Sequence, residues 1–164
     1  MIIIAAASIN NVIGDRGSIP WKMRSDLLRF KALTEGSSVV MGRKTYDSLP
    51  KKPLPDRENI VLTRNSNLKL EGALIISSLE RAVQIASSTL FVIGGESLYR
   101  ESLLLADTIF LTRVLTECAG DTFFPEIDPR LWFCESRLDI GKHPGDDFSS
   151  FFETWKCKKK PSTQ

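Results

Sequence analysis

Short runs of consecutive apolar residues recur through the first 114 residues: Ile2–Ala7, Ser38–Met41, Asn59–Thr63, Ala73–Ile76, Leu90–Ile93 and Thr108–Val114. Runs without polar alternation fit strands buried on both faces, as in a largely parallel sheet covered by helices. Helical periodicity fills the gaps. Ser25–Leu33 sets Leu27 and Phe30 on one side, with Ser25 as the expected N-cap. Ser78–Ala86 opens on a second candidate cap, Ser78, and carries a stripe of Leu79, Ala82, Val83 and Ala86. A third helix is expected from near Gly95, with Leu98, Tyr99 and Leu103 facing inward. Past about residue 115 the helical period stops. Leu131–Leu138 and Phe148–Lys156 alternate as strands of an antiparallel hairpin joined across residues 141–147. Strands alternating with helices predict an α/β fold on a single mixed sheet.

Composition narrows the class. The chain has 164 residues, 42% hydrophobic and 26% charged, which fits one globular domain with a real core and excludes disorder. The 22 Lys and Arg nearly cancel the 20 Asp and Glu, leaving +2, too little to imply a nucleic-acid partner. Cys118, Cys134 and Cys157 lack metal-ligand spacing and read as reduced thiols, and a single His143 argues against a zinc site. The N-terminal apolar run has no basic segment before it and falls far short of the roughly 18 residues of a membrane span. A cytoplasmic protein is therefore expected, with no membrane partner. Residues 1–158 are expected to form the domain and residues 159–164 a solvated basic tail.

Four features could carry chemistry. Asp26 is an acid in the first turn of a helix among apolar neighbours Trp21, Leu27 and Phe30. Helix-terminus stabilisation would explain an acid there. An apolar setting would instead raise its pKa and favour a multi-donor partner such as an amidine-like heterocycle. In Val40–Thr45 a strand runs through Gly42 into a helix that starts with Arg43, Lys44 and Thr45, suited to phosphate or merely to solvent. Phe91–Tyr99 repeats the pattern through Gly94 and Gly95, without the GxGxxG fingerprint of the standard dinucleotide fold. Ile60–Arg64 ends in Thr63 and Arg64, groups that suit a phosphate monoester. Three phosphate-compatible strand ends in one small α/β domain point to a dinucleotide. With no nucleophile set, the chemistry would belong to the cofactor, as in hydride transfer.

The ordered motifs Val12-Ile13-Gly14, Ile19-Pro20-Trp21, Asp26–Lys31, Met41–Thr45, Pro53–Asn59, Ile93-Gly94-Gly95 with Tyr99, Leu111-Thr112 and Gly120–Pro125 resemble those of dihydrofolate reductases over residues 1–157. The aspartate at position 26 is similar to the bacterial branch. The resemblance implies a central, mixed but mostly parallel eight-stranded sheet, about four flanking helices and a C-terminal antiparallel hairpin. It implies NADPH as cofactor, dihydrofolate as substrate, diaminopyrimidine-type antifolates as inhibitors, and a monomer. It leaves no room for a fused synthase.

The resemblance also implies roles. Asp26 would hold the pterin and support N5 protonation, Thr112 would bond that acid, and Trp21 would close the site. Leu27, Phe30, Leu49 and Leu54 would sandwich the pterin and benzoyl rings. Ile4, Ala5, Ile93 and Tyr99 would complete the substrate wall, and Arg57 would grip the glutamate α-carboxylate. On the cofactor side, Ala6 and Ile13 would border the nicotinamide. Gly14, Gly17, Ser18 and Ile19 belong to the segment matching the mobile active-site loop. Gly42, Arg43, Lys44, Thr45, Leu62, Thr63, Arg64 and Ser77 would meet the phosphates and adenosine. Gly94, Gly95, Glu96, Ser97, Leu98 and Tyr99 would form the second phosphate grip, with a cis bond between the two glycines. No metal site is implied. This chain departs from the family in a longer, more basic Leu49–Pro53 segment, in Arg64 where a small hydroxyl residue is usual, and in Ile19 where Met or Leu is common. A reductase of a ribosylated pyrimidine sharing this fold would not need Asp26 and Arg57 together. A non-catalytic nucleotide binder would not need to retain the expected site residues.

Overall fold

The computed structural model describes residues 1–158, so the expected tail 159–164 lies outside the described residues. Ten strands and four helices follow the order β1 (Ile2–Ser8), β2 (Val12–Gly14), α1 (Arg24–Thr34), β3 (Ser38–Gly42), α2 (Arg43–Ser48), β4 (Glu58–Leu62), β5 (Ala73–Ile76), α3 (Leu79–Ile85), β6 (Leu90–Val92), α4 (Glu96–Ser102), β7 (Thr108–Val114), β8 (Thr122–Phe123), β9 (Trp132–Gly141) and β10 (Ser150–Cys157). Eight strands form one sheet in the order β5-β4-β3-β6-β1-β7-β10-β9. All pairs from β5 to β7 are parallel, and β10 pairs antiparallel with both β7 and β9. The mostly parallel sheet and the terminal hairpin thus match the sequence pattern.

The apolar runs are buried because helices cover both faces. Ile3, Val40, Ile60, Val92, Ile109 and Leu111 build one core cluster, and Val39, Met41, Val61 and Phe91 build another. At roughly 1.5–3 kcal/mol for each fully buried aliphatic side chain, these layers dominate the stability of the fold.

Four expectations need correction. The sheet is not single, because β2 and β8 pair as a separate two-stranded ribbon. β5 is an edge strand, so Leu74 in the Ala73–Ile76 run is exposed rather than buried on both faces. In α3, Leu79 and Ala82 are buried but Val83 is exposed, and Ile85 joins the core periphery instead. Ser25 is not the N-cap of α1. The cap position is Met23, whose side chain makes no capping bond. The cap comes from afar: the Asp146 carboxylate accepts the Ser25 amide at 2.9 Å and the Ser25 hydroxyl at 2.6 Å. Ser78 does cap α3, accepting the Arg81 amide.

Candidate active site

Asp26 lies in the first turn of α1, and across from it Thr112 lies in the middle of β7. The Thr112 hydroxyl donates to Asp26 Oδ1 at 2.5 Å. Burial pushes the Asp26 carboxyl above the ordinary aspartate range and outweighs the Thr112 bond and the Arg29 charge, which favour the carboxylate. The raised pKa expected from an apolar setting is therefore present. A carboxyl so raised suits general acid–base chemistry better than an ordinary aspartate does. Trp21, 7% exposed, forms a third cluster with Met23 and Val114, against which Ala6 packs.

The expected substrate wall assembles in part. Ile4 is buried in the second core cluster, and Phe30, Leu49, Leu54 and Ile93 pack against that cluster. Ala5 packs against the first cluster. Tyr99 is buried, and its hydroxyl donates to the Ile4 carbonyl in β1 at 2.9 Å. Leu27 departs from the expected apolar side. It is 61% exposed and belongs to none of the core clusters, although Phe30, one turn along the same face, packs against the second one. Arg57 is held in place: Nε donates to the Pro55 carbonyl at 2.8 Å, Nη1 donates to Thr34 Oγ1 at 3.1 Å, and the guanidinium lies 5.8 Å from the Phe30 ring centre. Its position is thus fixed before any carboxylate arrives.

The cofactor candidates fall into three groups. In the first, β3 and β6 end side by side. The Gly42 amide donates to the Gly94 carbonyl at 2.8 Å, and the Gly94–Gly95 peptide is cis, as the resemblance implied. A Cβ at Gly42 would meet only Gly94 O and Gly95 N, at 3.9 Å. Packing therefore does not demand glycine there, and the space beside the strand ends is open. Arg43, Lys44, Thr45, Ser97 and Leu98 lie on the helices that follow, with Arg43 Nε 3.5 Å from Asp47. Glu96 sits in the grip, but its carboxylate is engaged by the Phe123 amide and by Arg100. Any contribution to a phosphate would therefore come from its backbone.

The second group lines a hollow of about 630 Å³ that contains Thr63, Arg64, Ser77 and also Arg81. Leu62, at the end of β4, borders the core beneath it. The third group is the loop after β2. Asp15 and Ser18 exchange backbone hydrogen bonds at 2.8 and 3.0 Å, closing a tight turn through Arg16 and Gly17. Gly17, Ser18 and Ile19 are exposed, whereas Ile13 and Gly14 are half-buried. The Asp121 carboxylate accepts the Arg16 amide at 3.0 Å and so ties the turn to the segment before β8.

Three contributors escaped the sequence reading. Asp146 is 121 positions from Ser25 and gives no local signal. Arg29 lies inside the Asp26–Lys31 motif without any signal of its own. Arg81 sits in the first turn of α3 with no phosphate motif around it.

A family model described as dihydrofolate reductase matches residues 1–156. The chain is 40% identical over 151 residues to dihydrofolate reductase type 3 of Salmonella typhimurium, covering 91% of each chain. It is 39% identical over 160 residues to dihydrofolate reductase of Buchnera aphidicola subsp. Baizongia pistaciae, covering 96% of each. Among solved structures, dihydrofolate reductase from Enterococcus faecalis complexed with NADP(H) and RAB-propyl aligns with a TM-score of 0.90 at 30% identity, over 96% of both chains.

Proposed function

The chain belongs to the dihydrofolate reductase family, and from that premise we propose how its cleft reduces 7,8-dihydrofolate to 5,6,7,8-tetrahydrofolate. NADPH, when bound, supplies the hydride for pterin C6. The residues present fit it: a Cβ at Gly42 would meet nothing closer than 3.9 Å, so the glycines at the ends of β3 and β6 leave room for a pyrophosphate, and the hollow with Arg64 and Ser77 offers a cation and a hydroxyl to the 2′-phosphate. Arg43, Lys44, Thr45 and Thr63 add donors along the same edge.

Asp26 holds the 2-amino group and N3 of the pterin and supports protonation at N5. The observation that carries this reading is the Asp26–Thr112 pair, 2.5 Å apart, with the carboxyl above its ordinary range because it is buried. Thr112 orients the carboxyl, and Trp21 shields it from bulk water. Ile4 and Ile93 line the pterin edge, and their backbone carbonyls would accept from the 4-amino group of diaminopyrimidine-type inhibitors. Phe30, Leu49 and Leu54 pack the rings, with exposed Leu27 closing on them from α1. Arg57, already fixed by Thr34 and Pro55, receives the glutamate α-carboxylate in a fork-to-fork pair. The turn at residues 15–18 covers the nicotinamide beside Ala6 and Ile13.

Residues 1–158 form one catalytic domain that works as a monomer in the cytoplasm on small molecules, without nucleic acid or membrane. The three free cysteines, the net charge of +2 and the lack, among the described residues, of a helix long and apolar enough to cross a membrane support this setting. The test is NADPH oxidation by the purified protein, followed by absorbance. It should require dihydrofolate and run much more slowly with NADH. Equal turnover without dihydrofolate would overturn the proposal.

A further inference from the structure

One charged side chain beside Asp26 has no part in the roles above. Arg29 follows Asp26 by three positions on α1, so the two share a helix face. Its Nη1 lies 3.7 Å from Asp26 Oδ1 and 3.5 Å from the Thr112 hydroxyl, to which it donates. Its guanidinium stacks 4.9 Å from the centre of the Phe152 ring. Phe152 is the register partner of Thr112 across the β7–β10 ladder and packs on Phe110, so this aromatic platform is part of the sheet. A merely solvated helix arginine would need none of these contacts. Here three elements fix one guanidinium over the Asp26–Thr112 pair, and the side chains of Arg29 and Asp26 are each only 21% exposed.

We propose that Arg29 is a positioning residue of the reaction: its fixed charge, acting through Asp26 and Thr112, sets the pH range over which the chain reduces dihydrofolate. The proposal rests on the Asp26 role given above. A cation within 4–6 Å favours the ionised carboxyl and so narrows the range in which Asp26 stays protonated. The other groups that bear on Asp26 are few. Asp146, from the loop between β9 and β10, acts in the opposite sense. Asp146 lies below its ordinary range, and its neighbour His143 holds it further toward the carboxylate. From α4, burial keeps the Tyr99 phenol neutral well beyond the working range. Thr112, from β7, does not titrate. Among the described residues, Arg29 is therefore the sole cation acting on the Asp26 carboxyl.

The experiment uses Arg29→Gln and Arg29→Lys in the full chain with two readouts. One is a carbon-13 NMR titration of the Asp26 carboxyl in the ligand-free protein. The other is kcat/KM against pH with NADPH and dihydrofolate. Arg29→Gln should move both midpoints up by about one pH unit, the low end of the range for a neighbouring charge, because the pair is not in direct hydrogen-bond contact. Arg29→Lys, which keeps the charge and tests the result should Gln disturb folding, should move them less than half as far. Loss of kcat/KM at every pH with both midpoints unchanged would overturn the proposal, as would equal shifts in the two variants. Asp26→Asn separates the two claims. If it abolishes the pH-dependent limb, the role of Asp26 stands and fixed midpoints in the Arg29 variants refute Arg29 alone. If the limb survives in Asp26→Asn, both fall.

Discussion

Replacing Asp146 by alanine removes a cap that no local sequence supplies. The side chain is buried, at 6% exposure, and accepts the Ser25 amide at 2.9 Å, the Ser25 hydroxyl at 2.6 Å and the His143 amide at 3.1 Å. Hydrogen bonds to a charged acceptor are worth about 1.5–3 kcal/mol each, but water reaches the partly buried donors once the carboxylate is gone. With a helix cap worth about 0.5–2 kcal/mol, the expected loss is about 3 kcal/mol. For a domain of this size that is a fall in Tm of roughly 6–12 °C. The pH dependence gives a sharper check. Burial works against the Asp146 charge, but the Ser25 and His143 donors outweigh it and leave the carboxyl below its ordinary range. A carboxylate held lower in the fold contributes stability that is present above its unfolded pKa and lost as pH falls through the folded one. Urea unfolding of the parent and Asp146→Ala should therefore show a full gap at neutral pH that closes under acid conditions. A gap below about 0.5 kcal/mol, the level of ordinary surface substitutions, would refute the cap. A gap independent of pH would refute the charge as its source.

The remaining expectations test other joints of the account. Asp26→Asn should stabilise the protein at neutral pH, because a carboxyl raised in the fold costs stability once ionised; the gain should vanish below the ordinary aspartate range, and a loss of stability in urea at neutral pH would contradict the burial argument. Arg57→Lys should raise KM for dihydrofolate by about tenfold, or about 1.4 kcal/mol, with kcat nearly kept, since lysine cannot reproduce a fork already fixed by Thr34 and Pro55; an unchanged KM in steady-state assays would remove Arg57 from the carboxylate site. Gly120→Ala places a Cβ 2.3 Å from Val12 Cγ1 and 2.7 Å from the Gly14 carbonyl, which forces β2 and the following turn apart; thermal melts should show a loss of about 1–3 kcal/mol, and a neutral melt would show that the ribbon yields freely.

What the sequence disclosed follows the physics of each element. β3, β4 and β6 were legible because strands buried on both faces leave unbroken apolar runs, as in Val39-Val40-Met41. β2 and β8 have three and two residues, too few to show a period, and their pairing depends on Gly120 admitting β2 at close range. Asp26 stood out because an acid among apolar residues is costly, and the structure keeps that cost as a raised pKa. Arg29 was hidden for the opposite reason: an arginine on a helix is unremarkable until Thr112 and Phe152 arrive from strands far along the chain. Ser25 misled because a serine before an apolar run imitates a cap, while the true acceptor is Asp146. Leu27 fits the helical stripe, yet its side chain is left exposed while Phe30 on the same face packs against the core.

The central claim is that the buried Asp26 carboxyl, oriented by Thr112, supports the protonation that accompanies hydride transfer. Single-turnover oxidation of enzyme-bound NADPH by dihydrofolate, compared between the parent and Asp26→Asn as pH is varied, tests it most directly. The account predicts a rate loss of roughly 10²–10⁴-fold at neutral pH, the usual contribution of a positioned acid–base group, that shrinks under acid conditions where solvent can supply the proton. Equal rates for the two proteins at neutral pH would contradict it.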